Sequence, residues 1–172
     1  RQIFTVPTAY CSQRPRLLGE LNKFLSRNNI ESNFVTAFLG VIELSSGKLE
    51  YSNCGHLPLY IRKMDRSFVK YAYTHSTALG VFEDLDIDSD IIQLNTGDEL
   101  VLYTDGITEA MNANEEFLGL KGLEEILKNL PMPDPENTAK SILGQVHDFA
   151  RGSTHKDDIT ILVIDYKHPS IK

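Results

Sequence analysis

Leu100-Val101-Leu102-Tyr103-Thr104-Asp105-Gly106-Ile107-Thr108-Glu109-Ala110 is an apolar strand that stops abruptly at a carboxylate. Glycine follows at once, and without a Cβ it lets backbone approach a ligand closely. A second segment, Lys156-Asp157-Asp158-Ile159-Thr160, places paired carboxylates immediately before another apolar strand. If the two strands are antiparallel neighbours, the acid that follows one and the acids that precede the other share one edge of a sheet. There they could share a cation, although they lie far apart in the chain. Oxygen-only ligation suits hard ions such as Mg²⁺ or Mn²⁺, which usually keep several waters. Two such ions bridged by a water can lower its pKa and orient it in line with a phosphoryl group. They also stabilise charge on the attacking and leaving oxygens, with no covalent protein nucleophile. The plainer alternative is that Asp-Gly after a strand is a turn and Asp-Asp before a strand a solvated cap. Spacing alone leaves both open.

Upstream of this pair, Leu17, Leu18, Leu21, Phe24 and Leu25 recur at helical spacing behind Pro15, which predicts a helix over residues 15–28. Phe34 to Leu44 is β-rich and apolar on both faces, as in a strand covered on both sides. Ser45-Ser46-Gly47 turns it into a second strand, Lys48 to Asn53. Leu59 to Lys63 and Phe68 to Tyr73 form another hairpin about Asp65-Arg66, and Ile91 to Leu94 and Glu99 to Thr104 flank a Thr96-Gly97-Asp98 turn. Past Gly106 the pattern becomes helical, over Leu120 to Leu130 and over Pro135 to Arg151 with Asp134 as N-cap. Ile159 to Tyr166 closes as a buried strand. Many antiparallel strands with a helical pair before the last one predict a layered α+β sandwich. Pro131-Met132-Pro133-Asp134-Pro135 reads as an interhelical loop, so residues 1–172 are expected to form a single domain.

Composition narrows the function classes. With 41% hydrophobic and 24% charged residues, the chain is ordinary for a soluble globular protein. No apolar run approaches the roughly 20 residues of a bilayer span, so no membrane crossing is expected. A net charge of -7 and the lack of a Lys/Arg block disfavour nucleic-acid binding. Two cysteines, Cys11 and Cys54, are too few for a disulfide framework or a zinc cluster and fit a reduced, cytoplasmic setting.

Two other chemistries are set aside. Cys54-Gly55-His56 puts a thiol and an imidazole side by side, but adjacent residues rarely face each other and no orienting third group is evident. His75, His147, His155 and His168 lack ligand spacing and read as surface or supporting residues. A haloacid-dehalogenase-type phosphatase needs a second aspartate two positions after its nucleophile, where Ile107 stands here.

YTDGITEA followed by KDDITILVI resembles the metal-dependent protein phosphatases, the protein phosphatase 2C-like superfamily, and within it the branch of stage II sporulation protein E and the sigma-factor regulator phosphatases. NFVTAFLGVIELSSGKLEYSNCGHLPLYI resembles that branch's hairpin and "AGHPP"-like loop, and TALGVF its "LG" turn, so the likeness runs in order over roughly residues 15 to 166. It implies an α-β-β-α sandwich of antiparallel sheets. Asp105 then matches the metal-binding aspartate of the Asp-Gly motif, and Asp157 the metal ligand of the Asp-Asp/Asn motif, with Asp158 in support. The implied function is hydrolysis of phosphoserine or phosphothreonine with Mn²⁺ or Mg²⁺. The implied substrate is a phosphorylated anti-sigma-factor antagonist in a bacterial signalling pathway, and the implied companion an N-terminal sensor or receiver domain.

The family also has an earlier motif resembling Gly-Asp-Val-x-Gly-His-Gly, whose aspartate bridges the two metals; no such segment occurs in these 172 residues. In the family's order it would precede Arg1, and the non-Met, signal-free start RQIFTVPTAY agrees with a piece of a longer chain. The chain is therefore expected to be an N-terminally truncated, C-terminal portion of such a domain. Without the bridging carboxylate two cations would repel with little between them, so metal binding and turnover are expected to be weak. An exposed sheet edge would favour homodimers. The alternative function is a phosphatase-like regulatory or binding module without catalysis.

Overall fold

The computed structural model describes residues 14–27, 33–153 and 157–168. In chain order its elements are α1 (Arg14–Arg27), β1 (Ala37–Glu43), β2 (Lys48–Cys54), β3 (Leu59–Arg62), β4 (Phe68–Tyr71), β5 (Asp90–Gln93), β6 (Glu99–Tyr103), α2 (Asp105–Thr108), α3 (Gly119–Asn129), α4 (Pro135–Phe149) and β7 (Ile161–Asp165). The strands form two antiparallel sheets, ordered β1-β2-β5 and β4-β3-β6-β7. Each sheet lies in its own compact unit, one drawn from Arg1–His56 and Tyr73–Gln93, the other from Leu57–Ala72 and Leu94–Lys172.

In the first unit β1 and β2 form the expected hairpin, with Glu43 opposite Lys48. Gly47, at φ 75°, supplies the left-handed residue the turn requires, and its N–H reaches Glu43 O at 2.8 Å. Leu18, Cys54, Leu79 and Ile87 are the buried core here. One sequence reading changes. The strand expected from Phe34 begins only at Ala37, and Phe34 and Leu44 are each 64% exposed, so β1 is a half-buried outer strand and not one covered on both sides. Helix α1 does not bury its whole leucine stripe. Leu18 and Asn22 are buried while Phe24 is 65% exposed. The polar residue decides the face: Asn22 Nδ2 donates to Phe82 O and Glu83 O, and its Oδ1 accepts from Gly80 N. A side-chain amide saturated by three backbone partners can be buried without penalty and anchors the helix on that side.

The second unit carries the segments that opened the sequence analysis. Along β6, Glu99, Val101 and Tyr103 share a face by the period of two. Val101 and Tyr103 join Tyr60, Ile107, Leu123 and Leu127 in the core between the sheet and its helices. Helix α3 contributes Leu123, Ile126 and Leu127 at i, i+3 and i+4. Helix α4 starts as its sequence demands, with Pro135 in the first turn and Asp134 accepting from Asn137 N at 2.9 Å.

Polar groups lock the same core. Arg62 and Glu99 have side chains that are 0% exposed and lie 2.7 Å apart. Arg62 Nη1 also donates to Thr138 Oγ1, and Nη2 donates to Pro131 O. Thr138 in turn donates to Glu99 at 3.0 Å. Strands β3 and β6, the interhelical loop and the first turn of α4 are thus tied at one point.

Candidate metal centre

Strands β6 and β7 are antiparallel neighbours, paired from Glu99↔Asp165 to Tyr103↔Ile161. The condition set by the sequence is met: the residues that follow β6 and those that precede β7 emerge at the same end of one sheet. Asp105 lies two positions past the last pair on one arm, and Asp158 and Asp157 three and four positions before it on the other.

Beyond the ladder the arms stay joined. Thr104 N donates to Thr160 O at 3.0 Å, continuing the register by one residue. The Thr104 hydroxyl then takes two partners on the opposite arm, accepting from Thr160 N at 3.0 Å and donating to Asp158 O at 3.3 Å. The chain next winds into α2, a single turn that the sequence reading did not include. Glu109 N closes it on Asp105 O at 2.7 Å, and Ile107, 0% exposed, plugs into the core. Gly106 sits where the arms are closest: a Cβ there would lie 2.4 Å from Asp158 O. Any other residue must push the carboxylate-bearing segment away, so the close approach that Gly106 permits here is that of the protein's own chain.

Asp105 is half-buried, and Asp157 and Asp158 are exposed. Asp157 Oδ1 accepts from Asp158 N at 2.8 Å. Asp105 on one arm and Asp157 and Asp158 on the other offer only oxygen donors, the donor type that a hard divalent ion takes. Among the described residues no three His, Cys, Asp or Glu side chains form a ready-made cluster. A Mg²⁺-like ion does not require one, since it is commonly held by one or two carboxylates with waters and substrate oxygens.

The set-aside residues have structural work. Cys54 is 0% exposed, and burial pushes its thiol up to about 11, which leaves it a poor nucleophile. Gly55 adopts φ 69° with Ala78 N only 2.9 Å from a would-be Cβ. Asn53 clamps this loop by accepting from His56 N and donating to His56 O. His75 is buried, so of the two settings expected for it, surface or supporting, the first does not hold. Its Nδ1 accepts from Asn53 N at 3.0 Å while Nε2 lies 3.3 Å from Asp90. His155 falls outside the described residues.

Residues 4–167 match the family model described as Stage II sporulation protein E (SpoIIE). The chain belongs to that family. Among curated relatives of this SpoIIE-family chain, Protein IcfG of Synechocystis sp. is 30% identical over 135 residues, covering 76% of the chain and 20% of that protein. Phosphoserine phosphatase RsbU of Bacillus subtilis is 26% identical over 153 residues, covering 88% of the chain and 45% of RsbU. The chain thus spans less than half of the length of either. Solved structures fix the fold. The SiaA-PP2C domain of Pseudomonas aeruginosa superposes with a TM-score of 0.75 at 18% identity, covering 89% of this chain and 61% of that one. The Mn-presoaked phosphatase domain of SpoIIE from Bacillus subtilis gives 0.68 at 21% identity, with 99% and 77% covered. The SpoIIE-family chain therefore has the α+β, protein phosphatase 2C-like fold that its motifs resembled. Among its described residues no helix is long and apolar enough to cross a membrane.

Proposed function

We propose that this chain is the catalytic portion of a protein serine/threonine phosphatase, and that residues 1–172 act as one domain. In the reaction water attacks the phosphorus, the bond from phosphorus to the seryl or threonyl oxygen breaks, and that oxygen leaves with a proton. Asp105, Asp157 and Asp158 are the side chains assigned to hold divalent cations, Mn²⁺ or Mg²⁺. Such ions, when bound, supply the charge that polarises water and offsets the developing phosphoryl charge. The protein's own part is to hold carboxylates from two distant segments at one sheet end, with Gly106 and Thr104 setting their spacing. The observation that carries the reading is the antiparallel β6–β7 pairing that brings those two motifs together in a SpoIIE-family chain.

By kinship with the phosphoserine phosphatases RsbU and RsbP, we assign the substrate to the class of phosphorylated anti-sigma-factor antagonists, in the cytoplasm. Self-association through an outer strand (β1 or β5 of one sheet, β4 or β7 of the other) belongs to the same proposal. The second reading is a regulatory or binding module without catalysis.

One experiment separates the readings. Mn²⁺-dependent release of phosphate from a phosphoserine peptide is measured for this chain and for an N-terminally extended form. Asp105→Asn and Asp157→Asn variants of each are measured alongside. In the active form each substitution should cost more than the roughly 10–100-fold typical of groups that only support a metal ligand. Turnover in neither form favours the module, and turnover unaffected by both substitutions refutes the site.

A further inference from the structure

We infer that Thr104 is a positioning residue of the metal centre, holding the Asp157-Asp158 arm in register with Asp105 through its hydroxyl. The inference rests on the proposed function and deepens it. Thr104 stands at the N-cap of α2, where a threonine hydroxyl ordinarily accepts from a helix N–H two or three residues on. Here it makes no such cap. The oxygen is committed across the sheet end, accepting from Thr160 N at 3.0 Å and donating to Asp158 O at 3.3 Å.

Those two contacts bracket Ile159 and fix the chain between the last carboxylate and the first residues of β7. The backbone of Thr104 adds a third tie, its N–H on Thr160 O. The next residue but one, Gly106, leaves no room for error, since Asp158 O already occupies the space of a Cβ. Thr104 is 7% exposed, so its hydroxyl has little access to replacement waters. Asp157 and Asp158 are exposed and lie outside β7, so a tie to β6 is what places them. Removing the hydroxyl leaves the Asp105 arm intact and unfastens the other. The expected loss is therefore in metal affinity rather than in the chemical step at full metal occupancy.

The test compares Thr104→Val, which keeps the shape without the hydroxyl, with Thr104→Ser, which keeps the hydroxyl without the methyl. Both are made in the protein as expressed from its own gene. Mn²⁺ binding is followed by loss of the free-ion EPR signal, and phosphopeptide turnover is followed against Mn²⁺ concentration. Thr104→Val should bind Mn²⁺ about 10–100-fold more weakly, the range for groups that orient a metal ligand. Thr104→Ser should stay close to the parent, and excess Mn²⁺ should restore turnover in Thr104→Val but not in Asp157→Asn. Thr104→Ala gives the same reading should valine prevent folding. Equal affinity in Thr104→Val and the parent overturns the inference alone, as does an equal loss in Thr104→Val and Thr104→Ser. A parent that neither binds Mn²⁺ nor turns over phosphopeptide overturns the proposed function and the inference with it.

Discussion

Replacing Arg62 by methionine tests how the second unit is held together. The guanidinium and the Glu99 carboxylate are both fully buried and 2.7 Å apart. Methionine fills much of the same volume but leaves Glu99 with only the Thr138 hydroxyl, at 3.0 Å, and leaves Pro131 O without its 2.6 Å donor. Removing one partner of a buried pair costs about 3–5 kcal/mol, because the remaining charge is stranded. That is a large share of the roughly 5–15 kcal/mol available to a folded domain. The pair itself is not optimal, since Arg62 Nε is buried without a hydrogen-bond partner. Removing the whole network, as Arg62→Met with Glu99→Leu and Thr138→Val, should therefore return stability to within about 1–2 kcal/mol of the parent. Urea unfolding followed by circular dichroism reads both values.

A pH signature accompanies the single variant. Burial already raises the Glu99 carboxyl above its ordinary value, against the opposing pull of Thr138 and Arg62. Losing Arg62 removes part of that pull and raises it further. A carboxyl whose folded pKa exceeds its unfolded one stabilises fully below the unfolded value and loses that contribution as pH rises through the folded value. Arg62→Met should thus be weakest at neutral pH and regain stability on acidification towards the ordinary glutamate range. A single variant costing under about 1 kcal/mol, or a triple variant as unstable as the single, would refute the reasoning.

Three further outcomes are expected. Gly106→Ala should displace the Asp158 segment, because a Cβ would lie 2.4 Å from its carbonyl oxygen; about 1–3 kcal/mol of stability should go, measured by thermal unfolding, together with Mn²⁺ affinity. Glu124 is held below the usual carboxylate range by hydrogen bonds from Lys70 and Tyr60, so its stabilisation is present above the unfolded value and lost as pH falls through the folded one. Lys70→Met should accordingly cost at most about 1 kcal/mol at neutral pH and nothing at strongly acidic pH, read by paired denaturation curves. On a Cys11→Ser background, Cys54 should resist an aromatic disulfide reagent in the folded chain and react at once in urea, because burial raises its thiol to about 11.

Much of this was legible because it rests on local chemistry. Pro135 behind Asp134, the Ser45-Ser46-Gly47 turn and the acids flanking β6 and β7 act through their own neighbours. What escaped depends on partners far away in the chain. Nothing near Asn22 says that Gly80, Phe82 and Glu83 will saturate its amide, so the leucine spacing predicts the helix α1 but not which face it buries. The Thr96-Gly97-Asp98 turn looks like a hairpin signal, yet β5 pairs with β2 while β6 pairs with β3 and β7. Nothing beside Arg62 or Glu99 in the chain signals their burial, because their environment is supplied by α4 and the loop before it. Thr104 looked like ordinary strand sequence, since its two partners lie more than fifty residues on.

The buried network and the carboxylate end are two ends of one strand. Glu99 opens β6 and pairs opposite Asp165, and Tyr103 closes it opposite Ile161. Sheet pairing has a side-chain period of two, so a slip of β7 by one residue would turn Ile161 and Val163 to the opposite face. It would also carry Asp157 and Asp158 past the point where Gly106 admits a carbonyl. A connection as long as that between β6 and β7 adds little to closure entropy beyond a shorter one, but it imposes no register of its own. Register must come from packing, and the helices in that connection provide it: α4 is tied to Glu99 through Thr138, and its Ile142 and Val146 share a core with Val101 and Tyr103. The geometry of the proposed metal centre is thus set partly by an ion pair at the far end of β6, and Arg62→Met should weaken Mn²⁺ binding without touching a ligand. Variants that keep full Mn²⁺ affinity while losing several kcal/mol of stability would separate the two ends and refute the coupling.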